Sequence, residues 1–316
     1  EYTDSSNKLA GTYVQVDRAS GGMFAIKNLN IKGHTLTGHL FAKGSNHTQD
    51  ITDFIVEDCT VSAYQNVFSF SNTTKEYVVQ NVYFNNSIFN LLGVNGNYSV
   101  IRLAQLYDAN GNKTSNLAFD RIKSVTMNNC VIYCSDAAFT SGRRTAIEYG
   151  YGASNTDRWA NPTTNLEITF TNNTLYNAYG SGACVIRAYQ AKKATVTNNA
   201  YYLDVTKPAV VSNPYMLGIY ADLEGNEGYA LIDNTAYTYG EKTDSKGNNI
   251  TGLTWRYGTA VAYTQQGLKT LFNQSQQNGM FQSTMDIQTG YFPIDKSVVT
   301  NGAGASYETK LWNKWE

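Results

Sequence analysis

Short runs of alternating apolar and polar residues punctuate this chain, and most of them end in the same polar turn. Examples of the runs are Phe24-Ala25-Ile26, Phe54-Ile55-Val56, Val125-Thr126-Met127, Ile168-Thr169-Phe170 and Thr195-Val196-Thr197. Period-two alternation of this length predicts half-buried strands. The turn is two polar residues, a small residue, then two mostly β-branched or aromatic positions. Its copies are Lys27–Ile31, Glu57–Val61, Asn85–Phe89, Asn128–Ile132, Asn172–Tyr176, Asn198–Tyr202 and Asp233–Tyr237. Their second residues fall at 28, 58, 86, 129, 173, 199 and 234, giving steps of 30, 28, 43, 44, 26 and 35. The long steps read as insertions into one repeating unit of strand, polar turn and strand.

A unit of this size cannot bury an apolar face alone, so its copies must stack; short β units stacked in sequence build a parallel β-helix. Asparagine suits the turn because it tolerates the left-handed backbone region, and its amide can bond to the matching amide one rung away. Aligning third positions predicts that Ser87, Cys130 and Thr174 point inward on successive rungs. The repeat fades beyond residue 240. The expected organisation is therefore a β-helix over 1–240 and an irregular C-terminal cap, 241–316, packed on the same solenoid and shielding an open end whose strand edges would otherwise be unpaired.

Composition agrees with an ordered β surface: 24 tyrosines, only 4 prolines and 16% charged residues in 316. The formal net charge of -1 argues against nucleic acid or an anionic membrane as the main partner. No apolar run approaches the roughly 18 residues needed to span a bilayer. A monomer is expected, outside the cytoplasm, either secreted or at a cell surface.

The NNSIF, NNCVI and NNTLY turns at 85–89, 128–132 and 172–176 resemble those of the pectate-lyase-like superfamily of right-handed parallel β-helices. The resemblance spans about two thirds of the chain, residues 24–240. It implies an all-β fold, a single-stranded right-handed parallel β-helix. A looser similarity is to surface β-helix proteins of glycan-foraging bacteria. The superfamily holds lyases, glycoside hydrolases, adhesins and inert stalks, so the resemblance carries a fold rather than a reaction. No catalytic motif of the family matches residue by residue.

Cysteine and histidine narrow the chemistry. Cys59 and Cys130 both occupy the third position of the turn, two rungs or about 10 Å apart, beyond the roughly 7 Å limit for a disulfide. Together with Cys134 and Cys184 they are expected as four free thiols, and their spacing fits no zinc motif. The only histidines, His34, His39 and His47, lie near the start and read as a solvated loop, which leaves few Ser-His or Cys-His mechanisms available.

A candidate site comes from a second alignment: Ile101-Arg102-Leu103, Ile147-Glu148-Tyr149, Ile186-Arg187-Ala188 and Leu217-Gly218-Ile219. Alternation buries the flanks and turns Arg102, Glu148, Arg187 and Gly218 outward on successive rungs. Tyr189, Tyr220 and Asp222 follow on the same face. Insertions at 108–118 and 150–165 are expected to project beside it as the wall of a groove, where Tyr149, Tyr151 and Trp159 offer sugar-stacking rings and Arg143, Arg144 and Arg158 offer cations.

A polysaccharide lyase must neutralise a uronate carboxylate and remove the proton beside it. Arg102 and Arg187 suit the first task, Tyr189 the second, and Glu148 can orient an arginine. A hydrolase instead needs two carboxyl groups, for which Glu148 and Asp222 are the only pair on this face. No cofactor or metal is expected; calcium is the one ion that the turns Asp108–Asn112 and Asp222–Glu227 suggest, and ordinary Asx turns explain both. The expectation is a protein that binds an extracellular polysaccharide along this groove, with cleavage by β-elimination left open. A salt-bridge ladder on a non-enzymatic adhesin or structural stalk is the alternative.

Overall fold

The computed structural model describes residues 12–16, 21–33, 39–43, 49–62, 66–70, 76–92, 97–103, 116–117, 123–135, 143–149, 166–176, 186–188, 193–202, 230–233, 235–238, 264–265, 268–272, 280–297, 299 and 302–306. Among these residues the regular elements are all β-strands, and no helix is long and apolar enough to cross a membrane.

The strands form three sheets that the chain visits in rotation, with parallel pairing throughout. The first sheet stacks Thr12–Val16, His39–Lys43, Asn66–Phe70, Asn97–Leu103, Arg143–Tyr149 and Ile186–Ala188. The second stacks Met23–Lys27, Gln49–Glu57, Glu76–Asn85, Ser124–Asn128, Glu167–Thr171, Lys193–Thr197, Ala230–Asp233 and Thr264–Gln265. The third runs from Asn30–Lys32 through Thr60–Ser62, Ile88–Asn90, Val131–Tyr133, Thr174–Tyr176, Ala200–Tyr202 and Thr235–Thr238 to Leu268–Phe272. Since neighbours in each sheet come from successive passes of the chain, the fold is solenoid-like. Pairing in the second and third sheets continues past residue 240, as far as Phe272.

The sharp turn between second and third sheets explains the asparagines. Among the described residues, six successive passes each have one left-handed residue: Asn28, Asp58, Asn86, Asn129, Asn172 and Asn198, with φ between 47 and 59°. Asparagine and aspartate tolerate this conformation better than other side chains. The expected amide ladder forms: Asn129 Nδ2 donates to Asn86 Oδ1 at 2.9 Å and Asn173 Nδ2 to Asn199 Oδ1 at 3.1 Å.

These φ values also correct the alignment of the fifth and sixth copies. There the left-handed residue is the first of the Asn pair, not the second as in the earlier copies. Thr174 accordingly pairs with Val131, and the rung partner of Cys130 is Asn173. The inward position is thus occupied by Cys59, Ser87, Cys130, Asn173 and Asn199, all buried. Two asparagines in a row offered two possible frames, and Thr174 is small enough to imitate the third position.

Inside the stack, Phe24, Phe54 and Phe84 stack along the second sheet, with centroid separations of 5.3 and 6.2 Å. Met127, Phe170 and Val196 continue that row. Offset ring stacking between rungs contributes beyond simple area burial and holds the strands in register.

The described residues of the C-terminal segment, 280–297, 299 and 302–306, lie along the outer face of the third sheet. Met280, Phe281, Phe292, Val299, Ala303 and Ala305 form one buried cluster with Ile88, Val131, Tyr133, Tyr176, Ala200 and Tyr202. Phe292 stacks on Tyr176 at 4.4 Å, and Tyr176 on Tyr202 at 4.7 Å. The segment is also fastened through its backbone. Gly304 N–H donates to Asn198 O, Ala305 N–H to Thr174 Oγ1 and Ser306 N–H to Asn129 Oδ1, at 2.8, 2.9 and 2.6 Å.

Candidate functional site

Four strands of the first sheet carry two consecutive inward residues: Leu40-Phe41, Val67-Phe68, Val100-Ile101 and Ala146-Ile147, all buried. The register pairs Asn66 with Ser99 and Phe68 with Ile101, stepping over Val67 and Val100. Simple alternation breaks at this bend, so the polar residues flanking it, three apart, come to one side. Ser99 Oγ donates to Glu148 Oε2 at 3.0 Å, although the register partner of Ser99 is Thr145.

The row Arg102, Glu148 and Arg187 exists in register, as the alignment of 101–103, 147–149 and 186–188 predicts. Arg102 Nε lies 3.3 Å from Glu148 Oε2. Its environment is not the open groove expected, however: the Glu148 side chain is 1% exposed and that of Arg102 14%. Ser99 Oγ and Arg102 Nε both reach the same carboxylate oxygen, so polar neighbours gather at it where a flat, open face was expected.

Three of those neighbours lay outside the predicted site. Asn66 and Ser99 are buried, and Asn66 Oδ1 accepts the Ser99 backbone N–H at 2.7 Å. This orients the amide, so Asn66 Nδ2 donates to His39 Nδ1 at 2.9 Å and the neutral ring carries its proton on Nε2. Burial, and secondly the charge of Arg102, push the His39 pKa down to about 4. His39 therefore sits on a sheet strand within a polar cluster, not on a solvated loop. Chemically, the cluster offers one guanidinium steered by a buried carboxylate, with an imidazole that adds no charge near neutral pH.

The signal that would have revealed it is a four-residue repeat: TYVQ at 12–15, HLFA at 39–42, NVFS at 66–69, SVIR at 99–102, TAIE at 145–148 and CVIR at 184–187. Mostly polar ends enclose two mostly apolar residues in each copy. Reading only the three residues around Arg102 hid the first polar position.

The strand Arg143–Tyr149 sets Arg143, Arg144 and Tyr149 beside Asn97, Tyr98 and Leu103. Of the insertion 108–118, Asn116–Leu117 pairs with Glu76 and Tyr77 in the second sheet. Tyr151, Arg158, Trp159, Tyr189, Gly218, Tyr220 and Asp222 lie outside the described residues, as do His34, His47, Cys184 and both candidate calcium turns. Among the described residues no cluster of histidine, cysteine, aspartate or glutamate is arranged to hold a metal ion. Cys59, Cys130 and Cys134 are free and buried. No family model, curated protein or solved structure matches the chain.

Proposed function

We propose that the chain is an extracytoplasmic right-handed parallel β-helix that holds an acidic polysaccharide along its first sheet. The observation supporting this reading is the register row of Arg102, Glu148 and Arg187, in which the Glu148 carboxylate orients the Arg102 guanidinium. Arginines at two of three successive register positions, with one glutamate between them, give the row a formal excess of positive charge, suited to a uronate through charge-assisted hydrogen bonds.

Cleavage on this strip would be β-elimination. Arg102 and Arg187 neutralise the uronate carboxylate, which acidifies the neighbouring C–H. Tyr189, as phenolate, takes that proton; the electron pair forms the ring double bond, the glycosidic C–O bond breaks, and its oxygen takes a proton from water as it leaves. Screening uronate polysaccharides for the absorbance of the unsaturated product tests this step. Calorimetry of Arg187→Ala and Trp159→Ala tests binding. Arg187→Ala should weaken acidic glycans about tenfold to a hundredfold, whereas Trp159→Ala should weaken acidic and neutral glycans alike.

The burial of Glu148 favours a second reading, a non-enzymatic stalk or adhesin in which the row is a structural ion pair. Absence of both product and glycan binding across the panel would select it.

A further inference from the structure

Four strands of the first sheet contribute one polar residue each to a single chain of hydrogen bonds. His39 comes from His39–Lys43, Asn66 from Asn66–Phe70, Ser99 from Asn97–Leu103 and Glu148 from Arg143–Tyr149, which are neighbours in that order. Asn66 Nδ2 donates to His39 Nδ1 at 2.9 Å, the Ser99 backbone N–H to Asn66 Oδ1 at 2.7 Å, and Ser99 Oγ to Glu148 Oε2 at 3.0 Å. Arg102 Nε ends the chain, 3.3 Å from the same carboxylate oxygen. Asn66, Ser99 and Glu148 are buried, so bulk water does not replace a link that breaks.

Asn66 is the link whose direction its neighbours dictate. A backbone N–H can only donate, so Oδ1 faces Ser99 and Nδ2 faces His39. Neutral imidazole meets that donor with the Nδ1 lone pair, whereas imidazolium carries a proton there and sets donor against donor. Turning the amide over gives the imidazolium an acceptor and sets Nδ2 against the buried Ser99 N–H instead. Among the described residues, the groups facing the ring give the new charge no relief. Register sets Thr12 on one side of His39 and Asn66 on the other, neither of which ionises. After burial, the like charge of Arg102 is the second reason that the His39 pKa falls to about 4. Glu148, the carboxylate of the chain, lies three strands away and is engaged by Ser99 and Arg102.

We propose that His39, Asn66 and Ser99 are positioning residues for Arg102, and that Asn66 is a proton-gated amide in that chain. When His39 Nδ1 takes a proton from solvent, the amide turns toward it, Ser99 N–H loses its acceptor, and the hold of Ser99 on Glu148, and of Glu148 on Arg102, loosens. The positioning role rests on reading the Arg102–Arg187 row as a uronate site; the gate itself does not. Uronate binding is then set at neutral pH and weakened in acid. A second cation near Arg102 acting through charge alone would do the reverse and strengthen anion binding as pH falls, so the direction of the pH dependence separates a gate from a simple field.

The test has one arm without ligand and one with it, both on the full chain. Magnetic resonance of the His39 ring, the Asn66 side-chain amide and the Ser99 backbone amide, followed into acid while circular dichroism reports an intact fold, should show all three titrating with one midpoint. Asn66→Asp supplies two acceptor oxygens and can serve both donors at once. In that variant the His39 midpoint should rise by about one pH unit or more, and the Ser99 amide should cease to follow it. A Ser99 amide that ignores His39 in wild type overturns the gate. In the second arm, calorimetry measures polygalacturonate binding at pH 7 and pH 3.5. With a midpoint near 4, about a quarter of the His39 rings are neutral at pH 3.5, so the loss of affinity should be about fourfold larger for wild type than for His39→Gln. Ionisation of the polymer affects both proteins and cancels in that ratio. An equal loss in the two proteins, or a larger one in His39→Gln, overturns the positioning role. If neither protein binds polygalacturonate at pH 7, the uronate reading falls and the positioning role falls with it, while the gate stands or falls on the Ser99 resonance.

Discussion

Cys130 and Asn173 hold the same inward position on successive rungs, and the backbone N–H of Cys130 donates to Asn173 Oδ1 at 2.9 Å. The arrangement recurs along the stack: Cys59 N–H donates to Ser87 Oγ at 3.1 Å, and Asn173 N–H to Asn199 Oδ1 at 2.9 Å. A tight turn leaves these buried N–H groups without a strand partner, so a side chain from the next rung supplies the acceptor. This makes residue choice at the inward position a matter of hydrogen bonding as well as volume.

Asn173→Ala should therefore destabilise the fold by about 2 to 3 kcal/mol, since it strands the Cys130 N–H in the interior. It also removes the Asn173 Nδ2 bond to Met127 O, 3.1 Å long. Asn173→Ser should recover part of the loss, because Ser87 performs the acceptor role at the equivalent place. Denaturant unfolding of both variants decides the point, and equal losses would show that the acceptor is not what matters.

The thiols on this spine should be present but slow to react. Burial pushes the Cys130 pKa up to about 12 and raises that of Cys59 as well. Thiolate is the reactive form, so native-state labelling at neutral pH should proceed only as fast as the structure opens. In denaturant without reductant the titration should give four thiols, including Cys184. A lower number would mean a disulfide that the two-rung separation of Cys59 and Cys130 does not anticipate.

His39 gives the first sheet a pH dependence with a definite sign. Its pKa falls from an ordinary 6.5 to about 4 in the folded chain, so the unfolded chain binds this proton more readily between those values. The contribution is complete above about pH 6.5 and is lost as pH falls toward 4, amounting to at most about 3 kcal/mol. Protonation places a second donor against Asn66 Nδ2 and a second cation near Arg102. Unfolding free energies measured from pH 7 to 4 should show wild type losing stability relative to His39→Gln, whose neutral amide takes up no proton.

What could be read from sequence follows from how each element is encoded. The second sheet was legible because Phe54-Ile55-Val56 and its counterparts alternate simply and bury one face. The third-sheet cover was encoded but unread: outward positions change from Asn30, Lys32, Thr60 and Ser62 to Ile88, Val131, Tyr133, Tyr176 and Tyr202 where residues 280–306 lie. Seeing that change requires the frame of each three-residue strand, and Asn172-Asn173 made the frame ambiguous. At the candidate site, the row through Arg102 and Glu148 was legible from spacing, whereas the burial of Glu148 was not, because period-two logic turns that residue outward.

Gly290 packs closely against the third sheet. Its φ is 75°, and an added Cβ would fall 2.6 Å from Tyr133 Cε1 and 2.8 Å from Ile88 Cγ2. Gly290→Ala should loosen the segment by about 1 to 3 kcal/mol, through both backbone strain and overlap. Gly302, also at positive φ, has open space around it. Gly302→Ala should therefore incur only the conformational cost. Protease sensitivity within 280–306 should rise more for Gly290→Ala than for Gly302→Ala.

The Arg102–Glu148 pair should respond asymmetrically to removal of its partners. Glu148 is 1% exposed, so Arg102→Leu removes the guanidinium 3.3 Å from a carboxylate that stays buried beside the Ser99 hydroxyl. Breaking a buried pair in this way costs about 3 to 5 kcal/mol. Arg102 keeps 14% of its side chain exposed and can carry its guanidinium toward water when the acid is neutralised. Glu148→Gln preserves shape and an acceptor for Ser99, and should cost about 1 to 2 kcal/mol. A double-mutant cycle should then give a coupling between the two residues, with the double variant closer to Glu148→Gln than to Arg102→Leu. Equal single losses with no coupling would indicate that the 3.3 Å contact is incidental, and that burial of Glu148 rests on its other hydrogen bonds.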